Sequence, residues 1–316
     1  MTDPQIERIA VVGAGLMGVG IAQEFALAGY QVTLHDRTDE LLHEARENIR
    51  SNLLLLSSLG RLDVVRIEPA LAAITTSTDL GTAVSRADLV IEAIFEDLPA
   101  KQALFHTLSS LCGSETIFAS NTSSFMPSRL AEVVSRPERL LVAHYFNPPY
   151  LIPLVEIVPG PRTSNQTIAT MVELLERIGK HPVVLRKEAI GFVGNRLQFA
   201  LFREALAIVE QGVAGPEAID RVVKFGFGRR LAVTGPFEVF DLAGLDTILA
   251  ICAQIFPDLA TSTVSAGEVS DLLRRRVEQG QLGVKSGQGF HEWTPEQIAE
   301  LKTRLSRALA QAEASG

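Results

Sequence analysis

Apolar runs and polar breaks alternate over the first 188 residues of the chain. Short runs rich in β-branched residues predict strands, and the helical spacing of apolar residues between most of them predicts helices. The predicted strands are residues 9–12, 31–35, 88–94, 117–120, 140–144, 154–158 and 183–185. Strand, turn, helix and second strand follow one another from Ile9 to His35, which is the order of a βαβ unit. The pattern therefore predicts an α/β domain with a doubly wound, mostly parallel sheet.

The pattern changes after about Glu188. Apolar residues beyond it recur at helical spacing with little strand signal. The predicted helices are residues 192–210, 216–225, 244–256, 270–279 and 295–312. A length of 316 residues agrees with two domains, because one domain usually has about 100 to 200 residues. We therefore expect an α/β domain at residues 1–188 and a smaller all-α domain at residues 189–316.

The composition argues against nucleic-acid-binding proteins, membrane proteins and proteins built on disulfides or cysteine metal sites. The formal charge is −8, whereas nucleic acids and anionic membrane surfaces are bound by clustered Lys and Arg. No apolar run approaches the ~18 residues of a membrane span, and the polar start of the chain is unlike a signal peptide. Cys112 and Cys252 lack the paired spacing of a disulfide framework or a cysteine metal site. We expect a cytoplasmic protein that acts on a small molecule, without nucleic-acid or membrane partners and without a metal.

A glycine-rich segment joins the first predicted strand to the first predicted helix. Its sequence is Gly13-Ala14-Gly15-Leu16-Met17-Gly18, the pattern G-x-G-x-x-G. Gly13 permits a tight turn, Gly15 lets the backbone approach a pyrophosphate, and Gly18 lets the helix pack closely on the strand. The strand–turn–helix context makes the pattern informative. We interpret residues 13–18 as the dinucleotide-binding turn of a Rossmann-type domain.

An acidic residue ends the second predicted strand. Asp36 follows Gly18 by 18 residues, close to the ~20 residues expected of a ribose-binding acid. Its carboxylate can accept hydrogen bonds from both ribose hydroxyls and would repel the 2′-phosphate of NADP, so NAD is the expected cofactor. Arg37 could pair with a 2′-phosphate if Asp36 turned aside, or it could stack on adenine or face water.

Polar residues also occur within the later strand-like runs. His144 ends an apolar strand at the sheet edge where open α/β sheets bind ligands, so it is either a catalytic acid–base or a structural histidine. Glu156 lies within the next predicted strand, where a buried carboxylate needs a partner. Either a nearby imidazole supplies that partner or Glu156 faces water on an edge strand.

Several short motifs follow one another in a characteristic order. They are residues 96–98 with Lys101, 120–124 (SNTSS), 144–148 (HYFNP), 154–156 (LVE), 191–196 (GFVGNR), 235–238 (GPFE), 241–246 and 285–290 (KSGQGF). Together these motifs resemble the L-3-hydroxyacyl-CoA dehydrogenase family over nearly the whole chain. The resemblance implies an NAD-dependent oxidoreductase that acts on a CH–OH group and forms a homodimer through its helical domain.

The resemblance also implies a set of catalytic residues. His144 would be the acid–base, oriented by Glu156, while Ser123 and Asn195 would hydrogen-bond the substrate oxygen. These residue types suit the chemistry, because the hydroxyl proton of an alcohol must be removed as its carbon gives up hydride, and a neutral imidazole can accept that proton. An Asn near a helix start can instead cap the helix or form a turn.

Further residues are expected on the cofactor side. The resemblance places Glu96 and Lys101 there, in the loop after the predicted strand at 88–94, although exposed Glu and Lys often have no specific role. Asn121 and Ser123 are assigned to the same side.

Two departures from the acyl-CoA pattern concern the substrate. Relatives that act on acyl-CoA carry a lysine-rich helical hairpin after the second strand, whereas this chain has no lysine between Met1 and Ala100. Only arginines remain in this region, at positions 46, 50, 61 and 66. The segment 147–153, NPPYLIP, is more similar to relatives acting on carnitine, gulonate or pyridine-ring alcohols. Asn147 is therefore assigned to the substrate side.

A basic pair precedes the GPFE motif. Arg229 or Arg230 could hold a free carboxylate in a bidentate pair, or both could be solvated surface residues. Three functions stay open at this point. The first expectation is a 3-hydroxyacyl-CoA dehydrogenase, with a place in fatty acid metabolism, which the resemblance favours. The alternative is a dehydrogenase of a small non-CoA hydroxy acid or alcohol, which the missing lysines favour. A non-catalytic, crystallin-like NAD-binding protein comes last, because a packing role does not require the complete catalytic set.

Overall fold

The computed structural model describes residues 6–259 and 271–313. Residues 1–5 of the polar N-terminal segment, and Ser270, where a helix is predicted to start, lie outside the described residues. The chain divides into two compact units, residues 1–195 and 196–316. The division falls in the first turn of a helix, after the predicted boundary at residue 188.

The first unit is built on one sheet. Its strands are β1 Arg8–Val12, β2 Gln31–His35, β3 Ile74–Ser77, β4 Leu89–Glu92, β5 Ile117–Ser120, β6 Leu140–Tyr145, β7 Leu154–Pro159 and β8 His181–Val184. The eight strands lie in the order β3-β2-β1-β4-β5-β6-β7-β8. Neighbouring strands are parallel except for β6 and β7, which are antiparallel. The prediction of a doubly wound, mostly parallel α/β fold is confirmed.

Helices connect and cover the strands of this sheet. They are α1 Leu16–Leu27, α2 Asp39–Ser58, α3 Ile67–Ala72, α4 Leu80–Val84, α5 Leu98–Leu111, α6 Pro127–Leu130 and α7 Asn165–Arg177. Side-chain oxygens of Thr38, Asp97 and Ser164 accept backbone N–H groups at the starts of α2, α5 and α7, which satisfies donors that a helix start leaves free. Every residue of β4, β5 and β6 is buried, as expected of a sheet covered on both faces.

One strand was missing from the sequence prediction. β3 pairs in parallel with β2 at the edge of the sheet, and its sequence Ile74-Thr75-Thr76-Ser77 contains a single apolar residue. An edge strand of this kind lacks the apolar run of a buried strand, so the hydrophobic pattern of the sequence did not predict it. The strand predicted at residues 88–94 is shorter in the structure, where β4 begins at Leu89 and ends at the buried Glu92.

The second unit is helical. Its helices are α8 Gly194–Glu210, of which the first two residues belong to the first unit, α9 Pro216–Phe225, α10 Pro236–Ala243, α11 Leu245–Ile255, α12 Asp271–Glu278 and α13 Pro295–Glu313. The all-α prediction is confirmed for the described part of this region. The sequence prediction missed α10, which starts with Pro236 and is capped by Glu238, whose carboxylate accepts the Gly235 N–H at 2.7 Å.

Candidate active site

The glycine turn after β1 has a backbone that only glycine can form. Gly13 has φ +108°, and a Cβ on it would lie 2.5 Å from the Ala93 carbonyl oxygen. A Cβ on Gly18 would lie 1.8 Å from the Gly13 carbonyl oxygen. Gly15, which precedes α1, has no atom within 4 Å of its Cβ position, so the helix start is open at this point. This geometry fits a pyrophosphate group, which binds free N–H groups at a helix N-terminus.

A cleft of about 330 Å³ lies beside this turn, and its lining includes Gly13, Gly15, Asp36, Arg37 and Phe95. The Asp36 carboxylate accepts the Ala14 N–H at 2.8 Å and the Arg37 N–H at 2.7 Å. These bonds hold the acid against the glycine turn, at the end of β2, where a ribose-binding acid is expected. The residues present therefore fit the adenosine half of a dinucleotide.

The remaining predicted residues of the turn lie at the start of α1. Leu16 is exposed and Met17 is half-buried, so both are near the open helix start. Arg37 is exposed as well. Their predicted contacts with the cofactor stay predictions.

His144 and Glu156 are brought together by the one antiparallel pairing of the sheet. They are directly opposite residues of β6 and β7, and His144 Nδ1 lies 2.9 Å from Glu156 Oε2. Only 5% of His144 and 2% of Glu156 is exposed, so the alternative in which Glu156 faces water on an edge strand is wrong. The imidazole is the partner that the buried carboxylate requires.

The second oxygen of the Glu156 carboxylate is bound by the backbone before α8. Glu156 Oε1 accepts the Val193 N–H at 3.0 Å and the Gly194 N–H at 2.8 Å. Burial raises the pKa of Glu156, but the hydrogen bonds from His144 and these two N–H groups outweigh it and lower the pKa below its ordinary value. Glu156 is therefore an ionised acceptor for the imidazole.

Two aromatic rings flank the His144 imidazole. Their centroids lie 4.8 Å away for Phe146 and 5.3 Å away for Phe192. Phe192 is 1% exposed, so one side of the acid–base pair is covered by a buried apolar group. An apolar neighbour strengthens the interaction between the two polar groups, because it keeps bulk water away.

Ser123 and Asn195 are also neighbours. The Asn195 side-chain amide donates to the Ser123 backbone carbonyl at 3.2 Å, which ties the loop after β5 to the first turn of α8. Ser123 itself is exposed. The structure thus places all four predicted catalytic residues within the first unit, although the roles of Ser123 and Asn195 toward substrate stay predictions.

Glu96 and Lys101 have structural partners that the sequence did not reveal. Lys101 is 1% exposed and forms ion pairs with Glu92 at 2.6 Å and Glu96 at 3.3 Å. The alternative of an exposed lysine without a specific role is therefore wrong, because the ammonium group lies between two carboxylates, while its predicted place on the cofactor side stays a prediction. Glu96 in turn accepts the N–H groups of Ser123 and Ser124, both at 3.1 Å. The two residues order the loop that carries Ser123, whatever contact they make with a cofactor.

Glu92 and Ser120 are site residues that the sequence analysis missed. Glu92 is fully buried at the end of β4 and accepts the Ser120 hydroxyl at 2.5 Å in addition to Lys101. A charged residue that ends an apolar strand was the available signal. Asn121 completes this edge, since its side-chain oxygen accepts the Tyr145 N–H at 3.0 Å.

A buried lysine holds the segment that follows β6. Asn147 is exposed and precedes a cis peptide bond to Pro148. The Lys180 ammonium donates to the Pro149 carbonyl at 2.7 Å and forms an ion pair with Glu24 of α1. Lys180 therefore links this segment to the helix that follows the glycine turn, and the predicted contact of Asn147 with a substrate stays a prediction.

The arginines of the α2–α3 hairpin have partners within the protein. Arg46 donates to the Ile74 carbonyl at 2.8 Å, Arg66 donates to the Leu27 carbonyl at 2.8 Å, and Arg50 pairs with Glu68 at 2.5 Å. Arg61 is not free either. In the second unit, Arg229 and Arg230 are exposed, and their predicted contact with a substrate carboxylate stays a prediction.

Comparisons with known proteins identify the family of the chain. Residues 8–189 match the family model for the 3-hydroxyacyl-CoA dehydrogenase NAD binding domain, and residues 191–293 match the model for the C-terminal domain of the same family. The chain is 36% identical over 304 residues to 5-formyl-3-hydroxy-2-methylpyridine 4-carboxylate 5-dehydrogenase of Mesorhizobium japonicum, which covers 96% of each chain.

Two further likenesses are to a bacterial relative and to a solved structure. A probable 3-hydroxybutyryl-CoA dehydrogenase of Bacillus subtilis is 37% identical over 289 residues, covering 92% of this chain and 98% of the relative. Among solved structures, the crystal structure of a 5-formyl-3-hydroxy-2-methylpyridine 4-carboxylic acid 5-dehydrogenase superposes with a TM-score of 0.89 at 36% identity and covers 97% of each chain.

Proposed function

The chain belongs to the 3-hydroxyacyl-CoA dehydrogenase family, and from this premise we propose that it oxidises the hydroxyl group of a small, free hydroxy acid or related alcohol. It is an NAD-dependent oxidoreductase that acts on a CH–OH group. The buried His144–Glu156 pair, with 2.9 Å between Nδ1 and Oε2, is the observation on which the proposed mechanism rests.

His144 has one ring nitrogen left for the substrate. Because Nδ1 donates its proton to ionised Glu156, Nε2 carries the lone pair and can accept the hydroxyl proton. Glu156 stabilises the imidazolium that forms. Bound NAD supplies the hydride acceptor. In the reverse direction the imidazolium returns its proton to the oxygen of the substrate.

Ser123 and Asn195 would act on the same oxygen. A hydroxyl and an amide are hydrogen-bond donors that stabilise negative charge developing on oxygen during carbonyl reduction. The bond from Asn195 to the Ser123 carbonyl, 3.2 Å long, supports a joint role because it keeps the two residues together. The second amide hydrogen of Asn195 is the one available for substrate.

NAD would be held along the edge from β1 to β5. Gly13, Gly15 and Gly18, with Leu16 and Met17, would surround its pyrophosphate. Asp36 would bind the adenosine ribose and Arg37 would lie beside the adenine. Asn121, Ser123, Glu96 and Lys101 would lie toward the nicotinamide, the last two by ordering the loop at residues 121–124.

The hairpin argues for a substrate without CoA. Coenzyme A carries several phosphates, which proteins bind with Lys or Arg. Here the hairpin has no lysine, and the guanidinium groups of Arg46 and Arg66 donate to backbone carbonyl groups of the protein itself. The likeness to a dehydrogenase whose name contains a pyridine carboxylate supports a free acid, whose carboxylate Arg229 or Arg230 would hold, with Asn147 nearby.

A 3-hydroxyacyl-CoA is the second candidate substrate, with a role in fatty acid metabolism. The likeness to the Bacillus subtilis relative, 37% identical over 98% of that protein, favours it. A non-catalytic, crystallin-like role is the least favoured, because a packing role does not require the complete set of His144, Glu156, Ser123 and Asn195.

A substrate panel tests this proposal. NADH formation is measured with 3-hydroxybutyryl-CoA, longer 3-hydroxyacyl-CoAs and free acids that include carnitine, gulonate, 3-hydroxybutyrate and a pyridine-ring alcohol with a carboxylate, and NADP serves as the cofactor control. We expect turnover of free acids or alcohols and none of thioesters. Turnover of thioesters alone would refute the free-acid proposal and establish the second candidate.

Variants of the basic pair refine this result. Replacing Arg229 or Arg230 by Leu should raise KM for the carboxylate substrate about tenfold or more if that residue forms a charge-assisted bond with it. KM for the matching alcohol without a carboxylate should not change. Equal effects on both substrates, or none on either, would remove the pair from substrate recognition.

We also propose that the protein is a cytoplasmic homodimer, and the exposed apolar surface of the helical unit supports the dimer. Phe237 is 84% and Leu242 is 83% exposed, and further apolar side chains of this unit are exposed at positions 199, 225, 249 and 256. Exposed apolar surface of this extent is typical of a protein–protein interface.

Among the described residues, no helix is long and apolar enough to span a membrane and no His, Cys, Asp or Glu cluster could bind a metal.

Light scattering at micromolar concentration tests the dimer. The natural chain should have the mass of a dimer, and Phe237→Glu should shift it toward the monomer because a charge would be buried in the interface. The matched control is Val65→Glu in the first unit, where the side chain is 70% exposed. A monomer at all concentrations would contradict the proposal.

A further inference from the structure

The segment that leads into α8 contains an unusual backbone. Phe192 has φ +51° and is the only residue other than glycine with a positive φ among the described residues. A bulky side chain is disfavoured in this left-handed region and persists there only when the surroundings hold it. Here the surroundings do so, because the side chain is 1% exposed and its ring packs against the His144 imidazole.

The left-handed turn determines where the next two N–H groups point. The amides of Val193 and Gly194 converge on one atom, Glu156 Oε1, at 3.0 Å and 2.8 Å. Successive N–H groups at a turn of this kind form a concave anion site, often called a nest. The anion in this nest is the carboxylate of the acid–base pair itself.

The nest leaves little room for movement. A Cβ on Gly194 would lie 2.4 Å from Cζ of Phe146, the second ring beside His144. The backbone of the nest is therefore packed against the same aromatic pair that flanks the imidazole. A change in the backbone at Phe192 would be transmitted directly to Glu156.

We propose that Phe192 is a positioning residue for the acid–base pair: its left-handed conformation aims two backbone N–H groups at Glu156 and thereby sets how readily the pair takes up a proton. The proposal rests on the proposed function only in assigning acid–base work to this pair. It assigns to Phe192 no contact with substrate or cofactor.

Other charged groups near the pair have partners of their own. In the described structure, His144 is the only titratable side chain bonded to Glu156. On the adjoining loop, Glu96 binds Lys101 and backbone N–H groups. Before Phe192, Glu188 accepts the Ser128 N–H at 2.9 Å. Replacing Phe192 should therefore act on the pair through the nest and not through a neighbouring charge.

Two isomeric side chains separate the backbone effect from loss of the ring. Phe192→Leu and Phe192→Ile have the same atoms and nearly the same volume, but β-branched Ile tolerates a positive φ less well than Leu. Phe192→Gly lacks the ring and adopts the left-handed conformation freely. The Ile variant should lose the nest, while the Leu and Gly variants should keep it.

The test is an NMR titration of isotopically labelled histidine, with the His144 signal assigned by its absence in His144→Gln. This measurement needs neither NAD nor substrate, so it is independent of the proposed function. In Phe192→Ile the midpoint of the His144 titration should move to higher pH by about one unit relative to Phe192→Leu, because an ionised carboxylate that loses two N–H donors stabilises the imidazolium more strongly. Phe192→Gly should stay closer to the Leu variant.

Thermal melting and circular dichroism establish that each variant is folded. If Phe192→Ile does not fold, the test compares Phe192→Gly with wild type. Glycine adopts the left-handed conformation freely and should keep the nest, so the midpoint of the His144 titration should stay within about 0.3 unit of the wild-type value. Coincident titrations of the Ile and Leu variants would overturn the proposal. A shift in Phe192→Gly as large as that in Phe192→Ile would also overturn it, because the ring and not the backbone would then set the midpoint.

Discussion

Two buried carboxylates lie in the same sheet, and each has one basic side chain as its main partner. Glu92, at the end of β4, binds Lys101 at 2.6 Å, and Glu156, in β7, binds His144 at 2.9 Å. Both carboxylates also accept backbone N–H groups, one from Ile94 for Glu92 and two for Glu156. The two sites are thus built on the same plan, and besides the Ser120 hydroxyl that Glu92 also accepts, they differ in the basic partner.

The partner decides what each pair can do. An ammonium group has an ordinary pKa of about 10.4, whereas an imidazole has one of about 6.5 and exchanges its proton near neutral pH. Through Glu96, the Glu92–Lys101 pair orders the loop that carries Ser123. We infer that a pair with fixed charge supports the site and a titratable pair performs its chemistry.

The largest expected effect comes from removing one partner of the fixed pair. Lys101→Met leaves Glu92 buried without its counterion, and breaking a buried pair in this way costs about 3 to 5 kcal/mol of the free energy of unfolding. Urea denaturation measures this loss. The control is the double variant Glu92→Met with Lys101→Met, which should recover much of the stability because no buried charge remains there. A loss below about 1 kcal/mol in Lys101→Met would show that the pair has little structural weight.

Breaking the titratable pair should instead affect turnover. His144→Gln keeps a polar side chain beside Glu156 but removes the base, so kcat should fall by ~10²-fold or more. NADH affinity, measured by fluorescence titration, should stay unchanged, because the residues proposed to hold the cofactor lie outside β6. Near-normal turnover in this variant would remove His144 from the mechanism and end the contrast between the two pairs.

A third carboxylate sharpens the comparison because no basic side chain is bonded to it in the described structure. Asp36 accepts only the backbone N–H groups of Ala14 and Arg37 in the described structure. Its charge should repel the 2′-phosphate of NADP. Asp36→Asn should therefore raise kcat/KM with NADP relative to NAD by about tenfold, which corresponds to about 1.4 kcal/mol. Equal efficiency of the natural enzyme with both cofactors would refute the role of Asp36.

The pairs also show which parts of the site a sequence can predict. The glycine turn and Asp36 were predictable because their spacing along the chain is local and follows from the βαβ unit. His144 and Glu156 could be named as candidates, but their contact depends on the antiparallel register of β6 and β7, which joins residues 12 positions apart.

The contact between Lys101 and Glu92 is one that the sequence did not predict. A lysine in the first turn of a helix is usually exposed, and nothing local indicates that α5 places this one against the end of β4. The edge strand β3 was missed for a related reason, because its polar residues are held by pairing with β2 and not by an apolar pattern. The hydrophobic periodicity of a sequence does not predict contacts that depend on tertiary packing.

The smallest expected effect comes from an exposed pair of the same charge types. Arg50 and Glu68 lie 2.5 Å apart on the α2–α3 hairpin, but 42% and 72% of their side chains are exposed. Water and salt screen such a pair, and holding two long side chains together costs conformational entropy. Arg50→Ala should therefore leave the urea midpoint unchanged within error, in contrast to Lys101→Met. The same variant should leave KM unchanged for a free acid substrate, whereas a rise in KM confined to a CoA thioester would show that Arg50 exchanges Glu68 for a phosphate group.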